Sequence, residues 1–245
     1  MNAREPALEK WLRRLEKRSP LTQFDRETVR NFSGRTERFA ASQDVVSLGE
    51  RTTHSCLVAD GVVARFGQTS DGLRQLSAVY IPGDMADLHS AVLPRVSAPL
   101  QSAAHSTVVF VPHSEIIAAG EKSATLARAF WRDCVADAQV ASEWMLNNGR
   151  RNARARIAHL LCELSFRYAA LGENPSRFPV DLTQTHLADA TGLTAVHVNR
   201  SLRSLRELDL VEVKGRTARI FDLDGLGAIA DFDPAYLHLE TEVSA

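Results

Sequence analysis

No window of the 245-residue chain approaches the roughly 20 consecutive apolar residues that a bilayer demands. The opening stretch, Met1 to Arg18, is charged where a signal peptide would be apolar, so a soluble cytoplasmic protein with no membrane partner is expected. Cysteine is scarce. Cys56, Cys134 and Cys162 lie far apart with no C-x-x-C pair, which suits free thiols in a reducing compartment rather than a disulfide framework. The histidines of the first half, His54, His89, His105 and His113, show no H-x-H pairing and no carboxylate spaced with them. A cupin-like metal-dependent enzyme therefore lacks its ligand set, and neither a metal site nor a catalytic residue is expected. What is present, 44% hydrophobic and 24% charged residues, is ordinary globular composition over a length that suits two domains.

The formal net charge of −1 hides a division. Residues 150–221 carry 12 Lys or Arg against 7 Asp or Glu, while the remainder carries 17 against 23. A basic end on an acidic body is the footprint of a protein that docks one end on phosphate.

Along the chain, Leu8, Trp11, Leu12 and Leu15 predict a short amphipathic helix. From Phe39 to Val111 brief β-branched runs (Cys56–Val58, Val62–Phe66, Ala78–Ile81 and Thr107–Val111) alternate with turn residues at Asp60-Gly61, Ser70-Asp71-Gly72 and Pro82-Gly83-Asp84, predicting a small antiparallel roll. From about Leu126 to Arg150 there is no proline and no glycine before Gly149, which predicts one long helix. Phe130, Cys134, Ala138, Ala141 and Met145 recur three or four apart on it and fit a two-helix dimer seam; a helix packed on its own domain is the alternative. Trp131 and Trp144 fall off that stripe, with the roll as their expected packing surface. A second helical domain begins near Ala153, with a hinge at residues 148–152.

The segment from Leu182 to Leu202 has the layout of a helix-turn-helix. Leu187, Ala190 and Leu193 face inward, Gly192 makes the turn, and Val198, Leu202 and Leu205 form the buried stripe of the second helix. Thr194 caps that helix, whose first turns present Ala195, Val196, His197, Asn199, Arg200 and Arg203 outward, toward a major groove. Two short strands around Lys214-Gly215-Arg216 add a wing.

These residues, with the Pro82-Gly83-Asp84 turn, the Ala155–Leu161 stretch and the tail Phe232–Leu239, resemble the Crp/Fnr family over nearly the whole chain. The resemblance implies an α+β chain: an N-terminal β-roll like a cyclic-nucleotide-binding jelly roll (1–124), a long dimerisation helix with hinge (125–151) and a C-terminal winged helix-turn-helix (152–245). It implies a homodimeric transcription regulator on a pseudo-palindromic double-stranded DNA site, with RNA polymerase as a further partner.

By family position Arg200 reads a guanine, since a guanidinium donates two parallel hydrogen bonds to O6 and N7. Well-studied relatives carry a glutamate four residues earlier; this chain has Val196, so the inherited half-site does not carry over. Val196 suits a thymine methyl, and His197 and Asn199 supply polar base contacts. Arg203, Thr183, Gln184, Lys214 and Arg216 are expected on phosphate, beside the cap Thr194.

The effector site departs from the family. Cyclic-nucleotide binders use a Gly-Glu-Leu turn and an adjacent Arg-Ser pair, where this chain has Asp87 in the turn and Arg95 out of step with Ser97. Cyclic nucleotide is not expected. No cysteine precedes Cys56, which leaves no N-terminal cluster for an iron–sulfur centre, and isolated histidines make haem unexpected too. A roll that binds a ligand and signals through protein contacts alone is the other alternative; the complete second helix argues against it.

Overall fold

Leu8, Trp11, Leu12 and Leu15 form the buried face of α1 (Arg4–Arg18). With Phe32, Leu57, Val109, Val111, Leu126 and Phe130 they make one continuous apolar core. In this computed structural model, which describes residues 3–239, the chain forms two compact units. One holds the chain through Phe66 and Val79–Ala138; the other holds Gly67–Ala78 and Gln139–Leu237.

The first unit adds α2 (Gln23–Arg30), started by a capping box in which Thr22 and Asp25 bond each other's backbone N–H. Along the chain seven strands follow: β1 (Arg35–Phe39), β2 (Asp44–Val46), β3 (His54–Asp60), β4 (Val63–Gln68), β5 (Arg74–Tyr80, most of it within the Gly67–Ala78 segment), β6 (Leu100–Ser102) and β7 (Ser106–Pro112). They form two sheets of order β1-β7-β3 and β2-β6-β4-β5. β7 is central to the first sheet, pairing antiparallel with β1 and β3, and Val108, Val109 and Val111 on it are fully buried. Gly61 turns β3 into β4 at φ +76°, where a Cβ would lie 2.3 Å from the His105 carbonyl oxygen, so only glycine fits. In the Pro82-Gly83-Asp84 turn, Asp84 accepts from the Ile81 N–H and forms a buried ion pair with Arg14 of α1.

After α3 (His113–Lys122) runs the long α4 (Ala124–Arg150). Its phase differs from the expected seam. Phe130 is 8% exposed and stacks on Trp11, and Cys134 packs against the same core, so both face the chain's own roll. Ala141 is half-buried. The exposed apolar side chains on α4 include Trp131 (76%), Val135, Ala138, Met145 (72%) and Leu146. Trp131 thus faces solvent instead of the roll, and Trp144 is buried by donating its indole N–H to Glu163 of the second unit's first full helix.

That helix, α5 (Ala153–Ala169), is capped by Asn152, whose side chain accepts from the Ala155 N–H. β8 (Arg177–Pro179), α6 (Gln184–Thr191), α7 (Ala195–Glu207), β9 (Val211–Lys214), β10 (Thr217–Ile220) and α8 (Leu223–Ala230) complete the unit. α5 lies against α7 and α8, and the three strands form a sheet of order β8-β10-β9. The expected wing hairpin is therefore two strands of three. Its loop, Gly215-Arg216, has φ +57° and +63°, the two positive values of a type I′ turn.

Candidate nucleic-acid interface

Both helices of the pair α6–α7 start on the same four-residue pattern, Thr-x-x-His. At α6, Thr183 Oγ1 accepts from the His186 N–H at 3.1 Å, and His186 Nδ1 accepts from the Thr183 N–H at 3.3 Å. Burial holds the His186 imidazole below its ordinary range, which favours the neutral ring, whose unprotonated nitrogen can accept. At α7, Thr194 Oγ1 accepts from the His197 N–H at 3.3 Å and lies 3.2 Å from His197 Nδ1. Between them Gly192 ends α6 in the left-handed region at φ +61°, the conformation that reverses the chain here.

Leu187, Ala188, Val198, Ser201 and Leu205 fill the space between the helices and α5, while Leu193 and Leu202 are half-buried. This inward face fixes the outward one. Ala195, Val196, His197, Asn199, Arg200 and Arg203 are all exposed on α7, so the six side chains expected outward lie on one free surface.

Their engagement differs. Arg200 makes no hydrogen bond or ion pair with any described residue, leaving its full fork of donors available. Arg203 is held by Glu207 one turn on, Nε to Oε1 at 2.8 Å. His197 is turned back to its cap, and Asn199 bonds Gln184 of α6. In the wing, Lys214 is exposed and Arg216 pairs with Asp181 at 3.0 Å. Thr183 and Thr194 are exposed but occupied by capping. Asp181 and the Gln184–Asn199 pair escape sequence reasoning, because each partner comes from a different side of a turn.

Residues 155–229 match the Crp-like helix-turn-helix domain. The Anaerobic regulatory protein of Haemophilus influenzae is 22% identical over 206 residues, 84% of this chain and 80% of that one. The solved structure of FixK2 from Bradyrhizobium japonicum superposes with a TM-score of 0.73 at 23% identity, covering 80% of this chain and 97% of that one. The chain carries a Crp-like helix-turn-helix domain, and its fold is that of the solved FixK2 structure. TTHB099, a CRP-family transcriptional regulator from Thermus thermophilus, shares the fold at a TM-score of 0.57 and 20% identity, covering 85% of this chain and all of that one.

The three effector-site candidates do come together: Asp87, Arg95 and Ser97 line one cavity with Arg65, His89 and Leu93. Its volume is about 20 Å³, room for a single water. Asp87 is buried there, accepts the Cys56 N–H at 2.5 Å and is raised above the usual carboxylate range by burial, which outweighs that bond and the nearby Arg65. A phosphate placed against Asp87 meets a carboxyl group and a space that holds one water, so these residues do not fit a cyclic nucleotide. Among the described residues no three His, Cys, Asp or Glu side chains gather as a metal site, and no helix is long and apolar enough to cross a membrane.

Proposed function

We propose that this chain is a homodimeric, sequence-specific DNA-binding transcription regulator, with α7 as recognition helix and the β-roll as sensor. One observation carries the reading: α7 is capped at Thr194 and packed on its Val198–Leu205 face, and it presents Arg200 unpaired on its free face. Arg200 reads a guanine in the major groove, with Val196 beside it. Lys214, Arg203 and Arg216 hold phosphate. The exposed stripe of α4, Trp131, Val135, Ala138 and Met145, repeats at intervals of four, three and seven, the period of a two-helix coiled-coil seam, and it supports dimerisation through that face.

On this reading residues 1–124 sense, 125–151 join the two copies and 152–245 bind DNA, in the cytoplasm and in contact with RNA polymerase. A signal in the roll acts by turning the DNA-binding domains about residues 148–152, so that free and activated dimers differ in that angle.

The test is selection of bound sequences from a random DNA pool, followed by footprinting. Two symmetric recognition helices require a pseudo-palindrome with half-sites about one helical turn apart. A protected site without two-fold character sinks the proposal.

A further inference from the structure

Gln184 opens α6 and Asn199 lies in the second turn of α7, yet their amides meet twice across the turn. Gln184 Nε2 donates to Asn199 Oδ1 at 2.6 Å, and Asn199 Nδ2 donates to Gln184 Oε1 at 2.8 Å. Both side chains are exposed, so burial does not force the contact. The backbone beneath does: Thr183 fixes where α6 begins, and buried Val198 fixes the rotation of α7 beside Asn199.

A reciprocal amide pair occupies, on each partner, the carbonyl oxygen and the N–H of one edge. That is the edge an asparagine or glutamine needs to grip adenine with two bonds, one accepted from N6–H and one donated to N7. While the pair is closed, neither amide reads adenine alone. Each keeps one further N–H, pointing away from the shared edge. A single N–H can be accepted by N7, which adenine and guanine both present in the major groove.

We infer that Gln184 and Asn199 act as one closed unit in sequence discrimination: Gln184 is a positioning residue that holds the Asn199 amide, and through its remaining N–H that amide takes adenine and guanine alike and rejects cytosine, whose edge offers only a donor. The inference rests on the DNA-binding reading above and adds a specificity determinant to it, contributed by the first helix of the pair.

The test uses the full-length protein and three variants, Gln184→Ala, Asn199→Ala and the double substitution, each selected on the same random DNA pool and then titrated on single-base variants of the wild-type site. The wild type is expected to show one position per half-site that takes adenine and guanine within about twofold. Gln184→Ala frees the Asn199 edge and turns that position into one preferring adenine by about tenfold. Asn199→Ala and the double variant lose the preference there alike, since Gln184 has nothing left to hold. Unchanged base preferences in Gln184→Ala overturn the inference, as does a wild-type site with strict adenine at the position that Asn199→Ala relaxes. A thermal unfolding midpoint that matches the wild type in every variant reports a preserved fold. Failure of the wild type to select any sequence is a different result, which removes the DNA-binding reading as well.

Discussion

Phe130 lies flat against Trp11, the ring centroids 5.6 Å apart and the planes 7° from parallel. The stack sets the rotation of α4 on the roll. It turns Phe130 and Cys134 inward and leaves the neighbouring stripe through Trp131, Val135 and Met145 in solvent. Beside the stack, Trp11 Nε1 donates to Asp133 Oδ2 at 3.4 Å, and Asp133 forms a nearly buried ion pair with Arg18, so the polar edge of the ring is satisfied as well.

The two faces of α4 therefore answer differently to substitution. Val135→Glu and Trp131→Ala are expected to convert the dimer to monomers in sedimentation experiments while leaving the thermal midpoint of the monomer nearly unchanged. Phe130→Ala is expected to keep the association face and to lower folding stability by about 3–5 kcal/mol, the cost of an aromatic side chain removed from a packed core. A monomeric, fully stable Phe130→Ala variant would reverse the assignment of faces.

Arg14 and Asp84 are 5% and 3% exposed, and their ion pair ties α1 to the Pro82-Gly83-Asp84 turn. A lone charge at that depth is costly, because the desolvation already suffered is no longer offset. Asp84→Ala should destabilise the chain by about 3–5 kcal/mol in urea unfolding, and exchanging both partners for apolar residues of similar volume should recover most of the loss. An additive double variant would show that the two side chains act independently.

How far the fold is legible in the sequence depends on how a segment's chemistry reports its surroundings. β3, β4, β5 and β7 are visible as β-branched runs because they are buried on at least one face. β1, Arg-Thr-Glu-Arg-Phe, is a mostly exposed edge strand with no apolar alternation, and β2, β6 and β8 are three residues each, too short to show a period. α8 is disguised by Gly225 and Gly227, poor helix formers; its one local sign is Asp222, whose carboxylate accepts the Gly225 N–H as an N-cap. The stripe expected on α4 and the exposed one differ for a general reason. The helix is apolar on two adjacent stripes, and the sequence period alone does not say which one the chain's own roll covers. The α6–α7 pair is the most legible element, since Gly192, the threonine caps and the inward leucines each have a local reason. The Gln184–Asn199 contact is invisible beforehand, because it depends on how two helices cross.

The three thiols are predicted to be inert in the folded protein. Burial, with Asp87 adjoining, pushes Cys56 well above the ordinary thiol range, and burial pushes Cys134 and Cys162 up to about 12. At pH 8 a thiol at about 12 is ionised in roughly one molecule in ten thousand, and the thiolate is the reactive species. Iodoacetamide at pH 8 should leave the native chain unlabelled and add three groups once it is unfolded in guanidinium. Rapid native labelling at Cys134, the half-buried one, would show a reactive thiol at that position.

Acid should loosen the second unit through His159. Its ring is enclosed between Phe232 and Tyr236, and burial, with Arg151 nearby, lowers its pKa to about 3. Glu143 Oε1 lies 3.2 Å from Nε2, which by itself would favour the charged ring. That oxygen is already bonded by Arg151 at 2.7 Å, and the ring has no exposure to solvent, so burial prevails. The folded state thus keeps His159 neutral while the unfolded chain takes a proton below about 6.5. Stability from this group is complete above that pH and declines as pH falls toward about 3, at up to about 1.4 kcal/mol per pH unit. Urea midpoints at pH 7.5 and pH 5.0 should differ more in the wild type than in His159→Gln, by about 2 kcal/mol. Equal shifts in the two proteins would place the acid sensitivity elsewhere.

Specificity and attraction should separate between α7 and the wing. Arg200 is exposed and unpaired on the face of a capped helix, where a bidentate contact to a guanine depends on position and angle. Lys214 stands at the tip of a hairpin, where a single ammonium meets phosphate with little directional demand. Arg200→Ala is expected to cost about 1–3 kcal/mol on the selected site and almost nothing on random DNA, relaxing one base pair per half-site. Lys214→Ala is expected to weaken both by the same factor and to reduce the salt dependence of binding by about one ion per subunit. Competition titrations at two salt concentrations measure both quantities. Equal losses on specific and random DNA in the Arg200 variant would move that side chain from base reading to the phosphate backbone, leaving Val196 and Asn199 as the readers on α7.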